Sequence, residues 1–254
     1  MGLPEICPQS PQLMQHPGSK AREVPLHMHR ALMFSQVLSG EFLIHDVFTE
    51  TSQLLRPGDL MLAEPGSVLS GRLSGSYRTL MIPLDPWKLG VESSRKTYKV
   101  EDRKTRELFD TALDGDRGAA AGELLRRWQV KVQAVGDTQG VALAEQQLAG
   151  LEQARLLLES DLSARATLTL VASQVGWHPH HFQRLFRQRY GLTPAQYQRQ
   201  LRVEEARRRL GRGESASDVA TRLGFSDQSH LIGTYRRYYG VTPGSIARTS
   251  YSRS

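Results

Sequence analysis

His27 and His29 stand one residue apart, and they are the first pair in the chain whose spacing could do chemistry. On an extended strand, residues two apart face the same side, so both imidazoles point into whatever that strand covers. Three uses are open: metal ligation, lining of a small-molecule pocket, or packing. A metal site needs three or more convergent ligands, and nothing in the sequence fixes His45 beside the pair. The lone cysteine, Cys7, excludes an internal disulfide framework and a multi-cysteine zinc site. Arg22 and Glu64 are the remaining polar candidates in this region. With His27 and His29 they form a set compatible with a polar or anionic effector. No catalytic residue and no metal ligand set is expected, and no cofactor.

A second chemistry is written in the charge. The 254 residues carry a net charge of +7. Residues 1–145 hold 17 Lys+Arg against 18 Asp+Glu, whereas residues 146–254 hold 16 Arg, no Lys and 8 Asp+Glu. All the excess positive charge lies in the last part of the chain. A basic domain on a neutral one suggests a polyanion as partner for one half. No run approaches the roughly 18 apolar residues of a membrane span. The proline-interrupted start (Pro4, Pro8, Pro11, Pro17) is unlike a secretory signal. With a single cysteine, these features place the expected protein in the cytoplasm, away from membranes.

The elements that must position these residues change along the chain. Residues 21 to 86 read as strands: Leu32–Leu38 and Phe42–Phe48 joined by Ser39-Gly40-Glu41, then Leu60–Ala63 and Tyr77–Leu84 between Pro-Gly turns. Short strands with such turns suggest a sandwich or barrel. The alternating apolar residues Met33, Val37, Leu43, Met61 and Leu62 are expected in its core. Residues 101–113 and 117–134 carry helical apolar spacing. The first is expected to pack on the strands; for the second, packing and self-association are both open. Gly136–Gly140 is a candidate hinge, and a third helix covers 143–159.

The last 109 residues repeat themselves. Val171-Ala172-Ser173-Gln174-Val175-Gly176-Trp177 overlays Val219-Ala220-Thr221-Arg222-Leu223-Gly224-Phe225 with an offset of 48. Arg187-Gln188-Arg189-Tyr190-Gly191-Leu192-Thr193-Pro194 overlays Arg236-Arg237-Tyr238-Tyr239-Gly240-Val241-Thr242-Pro243 with an offset of 49, and eight positions are identical. In each copy a short helix ends at a glycine (Gly176, Gly224), where a left-handed residue closes helices. A second helix starts at His178-Pro179 or Ser226-Asp227 and stops at Gly191 or Gly240. This is the helix-turn-helix plan, twice, with a connecting helix over Pro194–Leu210. At 1.5 Å per residue that helix spans about 25 Å, against about 34 Å between successive major-groove faces. A protein-binding solenoid is the alternative for a helical repeat, but solenoids need three or more units.

These blocks resemble the DNA-binding domain of the AraC/XylS transcription regulators. The resemblance covers residues 146–248. His27-Met28-His29, Gly40-Glu41, Pro57-Gly58-Asp59 and Pro65-Gly66 are similar to the cupin-like effector domain common in that family. The implied fold is α+β and multidomain: a cupin-like β-barrel over 1–95, a helical linker over 96–145, and an all-α domain with two helix-turn-helix units over 146–254. In metal-dependent cupins a comparable His-x-His is completed at positions that here hold Met33/Phe34 and Leu69, none of them a usual hard-metal ligand.

The resemblance places His180, Gln183 and Arg184 in a major groove, where Arg suits guanine and Gln adenine. Arg187 falls on phosphate. In the second unit it places Gln228, Ser229 and His230 on bases. Here the sequence departs from the family: Ile232 stands where a small polar residue is usual, and Gly233 where an arginine is usual. The first unit is therefore expected to read most of the sequence. The second would grip phosphate through Ser226, Thr234, Arg236 and Arg237 and the helix N-terminus. His181 is expected on the surface without function. Implied partners are double-stranded DNA, RNA polymerase, an unknown small-molecule effector and a second copy of the chain through the 117–134 helix. The expected function is a sequence-specific transcription regulator, an activator by family habit. A cupin enzyme with a DNA-binding tail and a purely structural DNA-bending protein are the competing readings.

Overall fold

The computed structural model describes residues 11–84, 95–135, 143–163 and 168–243. Cys7 and the Gly136–Gly140 hinge lie outside them. The chain divides into two compact units, Met1–Ala142 and Leu143–Ser254.

The first unit is an antiparallel, nearly closed barrel. Its strands are β1 (Gln12–Met28), β2 (Ala31–Val37), β3 (Phe42–Asp46), β4 (Thr51–Leu55), β5 (Leu60–Ala63), β6 (Val68–Pro83) and β7 (Thr97–Lys99). They run in the order β4-β3-β6-β2-β5-β7, with β1 also on β6. The 16-residue β6 organises the sheet. One edge carries β1 along most of its length, and the other carries β3 at Leu69–Leu73 and β2 at Tyr77–Pro83. The change of partner falls where the β2–β3 turn crosses β6. There Gly40 and Gly75 adopt φ of 77° and 89°, and a side chain on Gly75 would sit 2.0 Å from the Ser39 carbonyl oxygen. Only glycine suits that conformation and approach.

Strand alternation sorts the apolar residues into two cores. Val37, Phe42, Ile44, Leu55, Met61 and Leu69 fill the interior. Leu32, Phe34, Leu60, Leu62, Leu80 and Ile82 face outward and are covered by α1 (Arg103–Asp114) and α2 (Arg117–Val135), through Phe109, Leu124, Leu125 and Trp128. Residues 97–128 are thus part of the barrel's own packing, as expected for the first helix and left open for the second: β7 extends the sheet and both helices cover its outer face. Leu43 also differs from expectation. It shares β3 with the core residues Phe42 and Ile44 but has the opposite parity, and at 46% exposure it faces out beside Leu54.

The second unit contains α3 (Glu145–Ser160), α4 (Leu168–Gln174), α5 (Pro179–Tyr190), α6 (Pro194–Leu210), α7 (Ala216–Arg222) and α8 (Gln228–Tyr239). The repeat is visible residue by residue: α4 and α7 have seven residues each, α5 and α8 twelve. The extra residue of the second copy falls in its α7–α8 turn. Gly176, Gly191, Gly224 and Gly240 all have left-handed φ, between 68° and 76°. Thr193 caps α6, its side chain accepting from the Gln196 N–H while Pro194 occupies the first turn.

An ion-pair network ties α3 to α6. Arg155, buried, pairs with Glu152 and Glu159 on its own helix, and the Tyr197 hydroxyl donates to Glu159. Burial opposes the charged guanidinium, but the two carboxylates outweigh it and hold its pKa above the ordinary value.

Candidate nucleic-acid interface

Each second helix splits into two faces. On α5, Phe182, Leu185, Phe186 and Tyr190 are buried. His180, Gln183, Arg184 and Arg187 are exposed on the opposite side, at the i, i+3, i+4, i+7 spacing of one helical face. The helix starts at His178, whose Nδ1 accepts the His180 N–H at 3.4 Å. His181, expected on the surface, is half-buried. Arg184 Nη2 donates to its Nδ1 at 3.3 Å, and its ring meets Trp177 edge-on at 5.8 Å. His181 thus contacts both Arg184 and the turn residue Trp177.

On α8, Leu231, Thr234 and Tyr235 are buried, and Gln228, Ser229, His230, Gly233, Arg236 and Arg237 are exposed. Thr234 is a correction: at 4% exposure it cannot meet phosphate, because it lies one turn from Leu231 on the packed face. The helix N-terminus also differs from the expected phosphate seat. The Asp227 carboxylate already accepts the His230 N–H at 2.7 Å, and Ser226 Oγ donates to that carboxylate at 3.1 Å. The His230 N–H holds the Asp227 carboxyl below its ordinary pKa. A fixed negative charge there disfavours a second anion, which leaves Arg236 and Arg237 as the phosphate candidates of this helix. A side chain at Gly233 would meet open space, so the gap in the polar face is chemical and not steric.

In the barrel, the sequence-selected polar set separates. His27 and His29 do share a face, their rings 4.7 Å apart. His27 Nδ1 donates to the Pro25 carbonyl at 2.8 Å. Arg22 hydrogen-bonds Tyr77, whose hydroxyl is pushed up to about 12 by burial. Glu64 is not with them. Its carboxylate accepts the Trp128 indole N–H at 3.2 Å and the Lys96 N–H at 3.0 Å. It therefore belongs to the helix-covered face and pins α2 to the sheet. His45, on the outward side of β3, pairs with Ser52 at 3.2 Å. Among the described residues no group of three or more His, Cys, Asp or Glu could hold a metal.

Desolvation lowers the pKa of His27, and lowers that of His29 well below the ordinary value, with His27 adding to the second effect. Both are neutral in the folded barrel at neutral pH. Unfolded histidines take up protons near pH 6.5, which these two resist. Stability is therefore full above that pH and falls as pH drops below it. Melting of the protein from pH 7.5 to 5.5 should show a declining barrel transition, flattened in His29→Gln. A pH-independent wild-type barrel would contradict this assignment.

A pair of bihelical units with exposed polar recognition faces, joined by one long helix, defines a double helix-turn-helix DNA-binding domain; the other unit is a cupin-like barrel. Comparison with known proteins agrees. Residues 171–249 match the family described as helix-turn-helix domain. The regulator ArgR of Pseudomonas aeruginosa is 33% identical over 94 residues, 37% of this chain and 29% of that protein. The activator RhaS of Escherichia coli is 34% identical over 90 residues, 35% of this chain and 32% of that protein. This chain thus matches less than a third of the length of these relatives. Over the whole chain the fold is similar to ToxT from Vibrio cholerae O395, with a TM-score of 0.65, 11% identity, and coverage of 96% of this chain and 98% of that one. A second structure of ToxT, described as bound to an unsaturated fatty acid, aligns with a TM-score of 0.56 and 14% identity over 93% of this chain and 94% of that one. The C-terminal unit contains a helix-turn-helix domain.

Proposed function

We propose that this protein is a sequence-specific, DNA-binding transcription regulator whose barrel senses a small molecule. The observation that carries the reading is the polar face of α5. His180, Gln183, Arg184 and Arg187 are exposed together on a helix whose opposite side is fully packed. Arg184 and Gln183 supply the bidentate chemistry for guanine and adenine, and α8 contributes Gln228, Ser229 and His230. Arg187, Arg236 and Arg237 anchor to phosphate. The chain works in the cytoplasm, activates through RNA polymerase, and carries no enzymatic step. Effector control follows if the ligand prefers one of two regulator states; the ToxT structure bound to a fatty acid supports ligand sensing in this fold. The face of α2 bearing Leu124 and Trp128 is used by the barrel. Self-association through the 117–134 helix would therefore use its other side, where Val130 is 67% exposed.

The test is binding of the purified protein to fragmented host DNA at physiological salt. A sharp motif of two blocks about one helical turn apart supports the reading; diffuse binding would favour an architectural role. Arg184→Ala should weaken the preferred site by about 1–3 kcal/mol and relax preference at one base pair. A uniform loss on every sequence would remove its base-reading role.

A further inference from the structure

The start of α8 fixes the proton of one exposed histidine. Ser226, Asp227 and His230 form a closed triangle there. The His230 N–H donates to Asp227 Oδ1 at 2.7 Å, Ser226 Oγ donates to Asp227 Oδ2 at 3.1 Å, and Ser226 Oγ lies 3.1 Å from His230 Nδ1. A hydroxyl has one proton to give and lone pairs to offer. The His230 N–H holds the Asp227 carboxyl below its ordinary pKa, so Asp227 is an anion and the stronger of the two acceptors. The Ser226 proton therefore goes to the carboxylate. What Ser226 turns toward the imidazole is a lone pair, and the contact at 3.1 Å requires a proton on His230 Nδ1.

A neutral imidazole carries one proton. With Nδ1–H committed to Ser226, Nε2 is left as an acceptor. His230 is exposed, and among the described residues its Nε2 has no partner. The Phe225 ring meets the imidazole edge-on at 5.4 Å and holds its orientation. Gly233 follows one turn on, on the same helical face, and brings no side chain to compete for the same base pair. The first unit sets its histidines the other way. His178 Nδ1 accepts the His180 N–H, and His181 Nδ1 accepts from the Arg184 guanidinium, which can only donate. In their neutral forms those two rings carry the proton on Nε2.

We propose that His230 determines specificity by accepting a hydrogen bond, through Nε2, from an exocyclic amino group in the major groove, adenine N6 or cytosine N4. The inference rests on the reading of α8 as a DNA-recognition helix and supplies the chemistry of one contact. The groove edges offer acceptors at guanine N7 and O6, adenine N7 and thymine O4, and hydrogen-bond donors only at the two amines. An atom that can only accept pairs with the amines. Ser226 and Asp227 act through the ring and are positioning residues.

The test uses the full chain and begins without DNA. Nitrogen-15 spectra of the histidine rings at about pH 8, where an ordinary imidazole is neutral, report which nitrogen carries the proton, and His230→Gln identifies the signal. The Nδ1–H form is expected in the wild type, and Ser226→Ala should shift the ring toward Nε2–H. An Nε2–H ring in the wild type, or a ring unchanged by Ser226→Ala, would overturn the proposal. Selection from randomised DNA then compares the wild type with His230→Ala, which should lose its preference at one base pair. At that pair, purine in place of adenine, or a pyrimidinone lacking the amine in place of cytosine, should weaken wild-type binding by about two- to tenfold, the worth of one neutral hydrogen bond. The same analogue should leave His230→Ala binding unchanged, and the pair concerned tells adenine from cytosine. Deaza analogues that lack N7 should affect the wild type and His230→Ala alike. Dependence of the His230 contribution on N7 and not on the amine, or a motif that His230→Ala leaves intact, overturns this assignment while the regulator reading stands. Equal wild-type binding to every sequence overturns both.

Discussion

Phe186→Ala should destabilise the helix-turn-helix unit by about 3–5 kcal/mol while leaving the barrel transition where it is. The Phe186 ring is fully buried. It stands 5.5 Å from Phe182, 4.4 Å from Tyr190 and 5.6 Å from Tyr197, centroid to centroid. Three of these four rings lie on α5 and the fourth on α6, so the cluster sets the angle between the recognition helix of the first unit and the connecting helix. Removing the ring costs its transfer free energy plus that of the cavity left behind. A loss of that size is a large share of a domain's whole stability. DNA binding should therefore fall with the population of the folded domain, on every sequence alike. That pattern separates Phe186→Ala from Arg184→Ala, which relaxes one base pair. Two transitions are expected in calorimetry, because the barrel and the helical unit have separate cores. A loss below 1 kcal/mol, or an equal fall in both transitions, would contradict this account.

Raising salt from 50 to 200 mM should weaken DNA binding by about 40-fold. The estimate takes Arg187, Arg236 and Arg237 as the phosphate contacts and a slope of about −0.9 per neutralised phosphate. Thr234 is left out because it is buried, and the α8 N-terminus because Asp227 occupies it. Each single substitution of these arginines by Gln should reduce the slope of log affinity against log salt by about 1. Affinities measured by fluorescence anisotropy at four salt concentrations give the slope directly. A slope that Arg236→Gln and Arg237→Gln leave untouched would move the second unit off the phosphate backbone. Arg237 has further electrostatic contacts within the protein, from Tyr238 among others, so the Arg236 variant is the cleaner of the two.

Much of the helical unit was legible in one dimension because its signals are local. A glycine that must be left-handed, a threonine or aspartate that caps, and apolar residues at three- and four-residue steps all act within one or two turns. Gly176, Gly191, Gly224 and Gly240 took the expected conformation, and α6 spans Pro194–Leu210 as read. The faces of α5 followed from the same periodicity. The strand region was less legible. The 17-residue β1 begins at Gln12, before any alternating apolar pattern, and its pairing with β6 shifts register at three places. A strand held by a long-range partner need not carry a local signature.

The sequence by itself determined that the chain has a basic, duplicated helix-turn-helix half, where each unit ends, and which side of α5 faces away from the core. Those properties depend on residue type and spacing over a few turns of backbone. Only the tertiary structure decided the rest. It assigned Glu64 to the indole of Trp128 and not to His27 and His29. It buried Thr234, turned Leu43 outward, and set His181 against Arg184. It also brought His29 beside Ser67, whose carbonyl accepts the His29 N–H. Each of these depends on which residues from distant segments meet, and sheet register and barrel closure fix that where local propensity does not.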